Sequence, residues 1–417
     1  MNTDQTLKDQ YFNELSLGIR KMKEYPSKDI LLLHHNDTDG LTSGAILLKA
    51  LTRAGYNIKR YSLEKPYPKI LEKLLNENEK KVIVFADFAG GIAPTIANLN
   101  SGKNLVLILD HHKAKRTDDP FVLNLNPDFF GLKGDRDISA SVVCYHFSFI
   151  LDTINRDLVH IAAFGGIADF YYRDHQIHSF NLECFQEASK LGLMRKEKKL
   201  LTEKYYIRLG NQEVDVVSFY PMIDIAGGVG YYGKGPEVAI DVLLNGITDE
   251  NISFIENLKN IKQKIFSKEI ENIKKGGLIV GKNIQWFNAK MNLKPMGVKM
   301  VGILCNEIAE MDFIDQNKYI AGYQQIPNEI PNFGKIMMNQ TKLSMRTTEK
   351  LSKKILNKEM PGLDTFLPQA TLNLGGFADA CHSIAAAVTI EIGKEKELMK
   401  EAEKLLQNEI LKLKSIE

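Results

Sequence analysis

The sequence predicts an α/β protein. A parallel sheet with flanking helices comes first, a connecting helix follows, and a smaller α+β domain ends the chain. Three observations carry this expectation. Short, fully apolar runs at 30–33, 82–86 and 105–109 read as buried strands, because strands covered on both faces lose the polar alternation of half-exposed ones. Stretches with helical apolar spacing separate these runs, the rhythm of βαβ units. From residue 276 the pattern changes to a mixture of strand-like and helix-like segments.

Taken in order, Ile30-Leu31-Leu32-Leu33 is the first strand and ends in His34-His35-Asn36-Asp37-Thr38-Asp39-Gly40. A helix follows over 41–54, with Leu41, Ala45, Leu48 and Leu51 on one face, and Gly55-Tyr56-Asn57 stops it. Residues 67–75 form a second helix before the strand at 82–86, which ends in Asp87-Phe88-Ala89-Gly90-Gly91. A short helix over 94–99 leads to the strand at 105–109, which ends in Asp110-His111-His112. A further strand at 121–125 stops at Asn126-Pro127, and helices are expected over 139–151 and 158–168, the second followed by Asp169. From about 180 to 275 the pattern reads as helical and charged: Met194-Arg195-Lys196-Glu197-Lys198-Lys199 as a solvated helix face, and 249–275 as a connecting helix broken by Gly276-Gly277. Beyond it, 277–280, 299–305, 319–323 and 342–347 read as strands, 378–388 as a helix after Gly375-Gly376, and 394–413 as a charged amphipathic helix.

At 417 residues the chain has room for two or three domains, and 44% hydrophobic with 25% charged residues is ordinary globular composition. A net charge of +2 gives no global field toward nucleic acid or membrane, so affinity for polyanions must come from local patches. The four cysteines, Cys144, Cys184, Cys305 and Cys381, are far apart and form no CxxC pair, which argues against a disulfide framework or structural zinc. No apolar run approaches the length of a membrane span, and the polar N-terminus does not read as a signal peptide. A soluble, cytoplasmic protein is expected.

In an open parallel sheet ligands bind beyond the carboxyl ends of the strands. The three polar tips therefore converge. Asp37 and Asp39, two apart, would share a face of an extended segment; Asp87 and His111 would join them from neighbouring strands. Asp169 would follow Gly165-Gly166, whose missing side chains would let the backbone approach the site. Four carboxylates gathered at one rim repel and force protonation unless cations offset them. Two divalent ions would do so, and mixed oxygen and imidazole ligation suits Mn²⁺ first, with Mg²⁺ or Co²⁺ as alternatives. Each residue alone has a blander reading, since a single Asp after a strand is ordinarily a turn or N-cap residue. The ordered set HxDxDG, Asp, DHH and GGxxD points to a metal centre.

On these motifs the chain resembles the DHH phosphoesterase superfamily, in particular its RecJ-like branch. Asn126-Pro127 and Ser139-Ala140-Ser141-Val142-Val143 also resemble the segments that follow DHH there. The resemblance implies a DHH catalytic domain over 1–265, including the helical region from about 180, and a DHH-associated substrate-binding domain over 276–417. It implies metal ligation by His35, Asp37, Asp39, Asp87, His111 and Asp169, with His112 facing the substrate and Asp110 orienting an imidazole. In the second domain it implies substrate binding by Ser344, Arg346, Gly375 and Gly376. Phe377 stands where the family's Gly-Gly-His histidine is expected, and His382 is the candidate to replace it if the following helix begins early. The implied activity is metal-dependent phosphodiester hydrolysis by a RecJ-like exonuclease on single-stranded DNA or RNA. Alternatives are a nanoRNase-like phosphodiesterase for short oligonucleotides or nucleoside phosphates, or a replication-associated binding protein, with replication or repair proteins as partners. Lysines near 195–204 and 259–275 would track a strand, and the loop Tyr231-Tyr232-Gly233-Lys234-Gly235 would stack a base.

Overall fold

The computed structural model describes residues 3–199 and 202–414. It divides into two compact units, one running through Asn257 with Pro331–Phe333, the other comprising Leu258–Ile330 and Gly334–Glu417.

The first unit opens with α1 (Thr3–Glu24) and then alternates β1 (Asp29–His34), α2 (Thr38–Arg53), β2 (Asn57–Ser62), α3 (Pro68–Glu77), β3 (Val82–Ala86), α4 (Ala93–Asn100), β4 (Leu105–Leu109) and β5 (Val122–Asn124). The strands form one sheet in the order β2-β1-β3-β4-β5, every pairing parallel. The strand order reverses direction between β1 and β3, so a crevice opens at their carboxyl ends. β3 and β4 are buried along their whole length, which is why their sequences read as unbroken apolar runs.

Helices α5 (Ala140–Leu151), α6 (Val159–Asp174) and α7 (Ser179–Lys190) follow. Then come β6 (Met194–Lys199), β7 (Thr202–Leu209) and β8 (Gln212–Asp215), α8 (Val216–Val229), α9 (Gly235–Asn245), and α10 (Asp249–Asn272), within which the first unit gives way to the second. α2 is buried nearly all round and shares one continuous core with residues of α1, α5, α6, α8 and α9.

The second unit adds β9 (Ile279–Val280), β10 (Ile284–Asn288), α11 (Met300–Ile308), β11 (Tyr319–Gln325), β12 (Glu329–Ile330), β13 (Gly334–Lys335), β14 (Gln340–Arg346), α12 (Glu349–Leu356), α13 (Leu363–Leu372), β15 (Phe377–Cys381), β16 (Ala385–Glu391) and α14 (Glu395–Lys414). Its main sheet runs β15-β16-β14-β11-β10-β9, with only β10–β11 parallel. The architecture is thus the α/β unit and the smaller mixed α+β unit that the sequence predicts.

Three local expectations are corrected. Residues 194–199 are not a solvated helix face but the first strand of the antiparallel sheet β6-β7-β8. Its partner β7 buries Tyr205, Ile207 and Leu209 at every second position, a strand period masked in sequence by the flanking charges. The segment 299–305 is not a strand: Lys299 caps helix α11 and 300–305 lie within it, where buried Met300, Val301, Leu304, Cys305 and Ile308 repeat at helical spacing. Residues 378–388 form the β15–β16 hairpin, with Ala386, Val388 and Ile390 buried in alternation. Helices α1, α12 and α13 and strands β2 and β10 carry no expectation from the sequence. Among the described residues no helix is long and apolar enough to cross a membrane.

Candidate metal centre

The turn from β1 into α2 supplies the first group of candidate ligands. Asp37 is the N-cap of α2, its Oδ1 accepting the Gly40 N–H at 3.2 Å, a placement favoured by the helix dipole. Its Oδ2 lies 2.8 Å from His35 Nδ1. The other ring nitrogen, His35 Nε2, lies 3.1 Å from the Glu64 carbonyl. Gly40 is required here, since a Cβ would sit 2.5 Å from His35 Cβ and 2.6 Å from its carbonyl oxygen. Asn36 Nδ2 donates to Gly227 O of α8, and Thr38 N and Oγ1 donate to Asp224 Oδ1, also on α8. Asp37 and Asp39 are therefore not on one face of an extended segment, because the helix begins between them and sends their carboxylates to different neighbours.

Asp87 follows β3 in the left-handed region at φ +68°, uncommon for a residue with a side chain. Its N–H donates to Leu109 O of β4, which fixes the turn against the sheet. Asp87 Oδ2 lies 3.5 Å from His35 Nδ1 and its Oδ1 3.5 Å from His111 Nε2. Asp87 thus stands between the two imidazoles.

At the tip of β4, Asp110 is a hydrogen-bond hub. Its Oδ1 accepts from His111 N (2.8 Å), His112 N (3.2 Å) and His112 Nδ1 (2.8 Å), and its Oδ2 accepts from Gly90 N (2.8 Å). Burial works against its charge, but the imidazoles of His112 and His111 outweigh it and hold the carboxyl well below the usual range. These four bonds place Asp110 beside both imidazoles, with three donors on Oδ1 and one on Oδ2. His111 Nδ1 donates to Gly134 O at 2.6 Å, leaving Nε2 3.5–3.8 Å from Asp87 and Asp39. His112 is exposed at 61% of its side chain. Its Nδ1–H is held by Asp110, and Asn126 Nδ2 donates to its carbonyl.

Asp39 sits at the N-terminus of α5, accepting the N–H groups of Ala140 (2.8 Å) and Ser141 (3.0 Å). Its pKa is nevertheless raised, by burial first and then by Asp87 and Asp169; that of Asp169 is raised by burial first and then by Asp87 and Asp37, against the opposing pull of His111. Asp169 lies within α6, not beyond its end. Gly165 and Gly166 do not line the site. A Cβ on Gly165 would lie 2.4 Å from Ser141 Oγ and Thr42 Oγ1, and one on Gly166 would lie 2.7 Å from Asn181 Oδ1, so these glycines let the helices approach closely.

Three sets of ligand atoms fall within 4.8 Å of one another: His35–Asp37–Asp87, Asp39–His111–Asp169, and Asp87–Asp110–His111–His112. Like unit charges about 4 Å apart cost about 4 kcal/mol at an effective dielectric of about 20, so the bare cluster is under electrostatic strain. Protons relieve it: burial pushes His35 and His111 down, but the facing carboxylates win and raise them, His35 to about 9. The residues fit divalent cations. Each of these imidazoles has its outer nitrogen bound to a backbone carbonyl and its inner nitrogen facing carboxylates, the outer-shell arrangement of metal-ligating histidines.

The sequence brings together Asp37, Asp39, Asp87, His111 and Asp169, and it includes His35. It misses what holds them: the carbonyls of Glu64 and Gly134 and the amides that start α5. Backbone groups carry no residue-type signal, although Gly134 itself was a cue, because a Cβ there would lie 1.6 Å from His111 O.

In the second unit Ser344 and Arg346 lie two apart on β14. Arg346 Nη1 donates to the carbonyls of Met345 and Ala386, and Gly302 of α11 leaves room for its guanidinium. Gly375, at φ +70°, and Gly376 turn the chain from α13 into β15. No helix follows them, so His382 cannot act by an early helix start; it lies exposed in the β15–β16 turn, and β16 pairs Ala385 with Arg346. In the lysine tracks Lys196 is ion-paired with Glu203, Lys204 with Asp215, Lys262 with Glu307 and Lys275 with Glu271. Tyr231 is buried, its hydroxyl donating to Ser62 O, and is not free to stack a base.

Residues 29–165 match the model of the DHH family, N-terminal domain. An uncharacterized protein of Methanocaldococcus jannaschii is 39% identical over 121 residues, 28% of this chain and 27% of that protein. Among solved structures, RecJ of Thermus thermophilus in complex with Mn²⁺ is similar, with a TM-score of 0.61 at 14% identity over 95% of this chain. The match spans 55% of that RecJ chain. CDC45 from Entamoeba histolytica gives a TM-score of 0.54 at 11% identity, over 95% of this chain and 99% of that one. The fold is RecJ-like.

Proposed function

Starting from a DHH-family domain over residues 29–165 and a RecJ-like fold, we propose that this protein is a metal-dependent phosphodiesterase acting as an exonuclease on single-stranded nucleic acid. The observation that carries the reading is the pairing of His35 and His111 on either side of Asp87, each tied outward to a backbone carbonyl. His35, Asp37 and Asp87 would hold one divalent ion, and Asp39, His111 and Asp169 a second. Mn²⁺ is the leading candidate and Mg²⁺ or Co²⁺ the alternative. Such ions supply Lewis acidity at the phosphoryl oxygens and charge neutralisation.

The chain's own groups do the rest. Asp110 holds His112 through Nδ1–H and keeps its exposed ring in one orientation. His112 thereby offers its Nε2 proton to the leaving oxygen as a general acid. Residues 1–265 are the catalytic domain in this reading, and 276–417 bind substrate. There Arg346 and Ser344 on β14 meet phosphate, Gly375 and Gly376 shape the approach, and His382 at the hairpin turn contributes an imidazole. A cytoplasmic setting and replication or repair partners belong to the same proposal.

The test is digestion of end-labelled DNA and RNA, from dinucleotides to long oligomers, with and without Mn²⁺, beside Asp110→Ala and His111→Ala. Stepwise shortening of long strands that needs Mn²⁺ and is lost in both variants is expected. A strong preference for the shortest oligomers would move the assignment to a nanoRNase-like enzyme. Strand binding without cleavage would move it to a replication-associated binding protein, the reading favoured by the likeness to CDC45.

A further inference from the structure

A half-buried arginine and a buried histidine stand immediately behind the candidate metal centre. His34 is the last residue of β1 and is fully enclosed; a Cβ on Gly44 of α2 would come within 2.7 Å of its ring. Arg60, on the neighbouring strand β2, places Nη1 2.8 Å from His34 Nε2. A guanidinium can only donate, so His34 Nε2 is the acceptor and the ring proton sits on Nδ1. That proton is donated to the carbonyl of His35 at 2.7 Å. Arg60 is steadied in turn by Glu237 of α9, 3.7 Å from its Nη2. The accepting peptide carries the very imidazole that faces Asp37 and Asp87. The same carbonyl lies where a Cβ on Gly40 would collide, so this peptide packs closely against the start of α2. The opposite tautomer of His34 would turn a lone pair onto the His35 carbonyl and push that peptide away.

We propose that Arg60 and His34 are positioning residues: Arg60 selects the Nδ1–H form of His34, and the hydrogen bond from that nitrogen sets the peptide of His35 for cation binding with Asp37 and Asp87. This rests on the cation-binding reading of the site and extends it to residues that touch no substrate. Outer-shell partners of this kind alter metal affinity about 10–100-fold when removed.

The experiment uses the full chain with Mn²⁺ alone. Free Mn²⁺ is counted by electron paramagnetic resonance during titration of the wild type, His34→Leu, His34→Asn and Arg60→Met, with thermal midpoints measured in parallel. A long-range ¹H–¹⁵N spectrum of histidine-labelled protein reads the His34 tautomer without metal. His34→Leu is expected to weaken one binding step by about 10–100-fold and leave the other in place. His34→Asn, whose side-chain N–H can replace Nδ1–H, recovers most of the loss, which a purely structural role would not do. Arg60→Met releases His34 from its single tautomer and gives an intermediate affinity. The proposal is overturned if His34→Leu binds Mn²⁺ like the wild type, if His34→Asn is as weak as His34→Leu, or if the tautomer survives in Arg60→Met. A wild type that binds no Mn²⁺ would instead sink the cation reading, while the spectrum still reports whether Arg60 sets the tautomer.

Discussion

Asp110 is the residue on which the site's order depends. It receives N–H donors on both oxygens. Asn in its place keeps one acceptor and turns a donor toward another N–H. Asp110→Asn is expected to lower turnover with Mn²⁺ by about 10–100-fold. The pH profile gives a second readout. Burial and the neighbouring His111 push the His112 pKa down, but Asp110 outweighs them and raises it. A general acid is active below its pKa and lost as pH rises through it. The alkaline limb of turnover should therefore move to lower pH in Asp110→Asn, where burial and His111 act on His112 without that carboxylate. A limb that stays in place would remove His112 from the acid role.

The elements around the site are held by glycines that admit no side chain. α6 crosses α2 and α5 where Gly165 meets Thr42 and Ser141. Gly165→Ala forces these helices apart and should cost about 1–3 kcal/mol of stability, read as a lowered denaturation midpoint at unchanged slope. The Gly134 loop is different in kind, because a Cβ there meets backbone rather than a movable side chain. Gly134→Ala should displace the carbonyl that holds His111 Nδ1, and weaken Mn²⁺ binding more than it lowers the melting temperature. The sequence read the βαβ succession well, because buried parallel strands and amphipathic helices announce themselves by composition and period. It failed at β6, α11 and the β15–β16 hairpin. In β6 and the hairpin the apolar residues that decide the period are few and lie among charges or small residues, whereas in α11 the short apolar run 300–305 fits strand and helix alike; in each case the burial that defines the face is supplied by the rest of the unit.

At the scale of the molecule the cluster makes stability depend on pH and on cations. In metal-free protein Asp39, Asp169, His35 and His111 all have raised folded-state pKa values. For the imidazoles the stabilisation is present below the unfolded pKa and is lost as pH rises through the folded one, about 9 for His35. For the carboxylates the raised pKa makes the ionised folded state the costly one, so stability again falls as pH rises. Without metal, stability should therefore decline between pH 7 and 9. This window lies above the range in which the buried His34 and the half-buried His146, both lowered to about 3, charge on unfolding. Saturating Mn²⁺ should reverse the slope, because cations compete with these protons. At about 100-fold excess over the dissociation constant, one site adds about 2.7 kcal/mol. Melting curves with chelator and with Mn²⁺ at several pH values check both signs.

The sequence by itself determined the fold class, the order of the main strands and helices in the first unit, and the identities of the acidic and imidazole groups at the strand tips. All of these rest on residue type and spacing, which a chain carries before it folds. Only the tertiary structure decided which carboxylate faces which imidazole. The helix starting at Thr38 separates Asp37 from Asp39, α5 captures Asp39 by its amides, and Asp110 is held by four N–H groups. Those outcomes hang on backbone donors and acceptors, which are the same in every residue and gain meaning only when folding brings distant segments within hydrogen-bond reach.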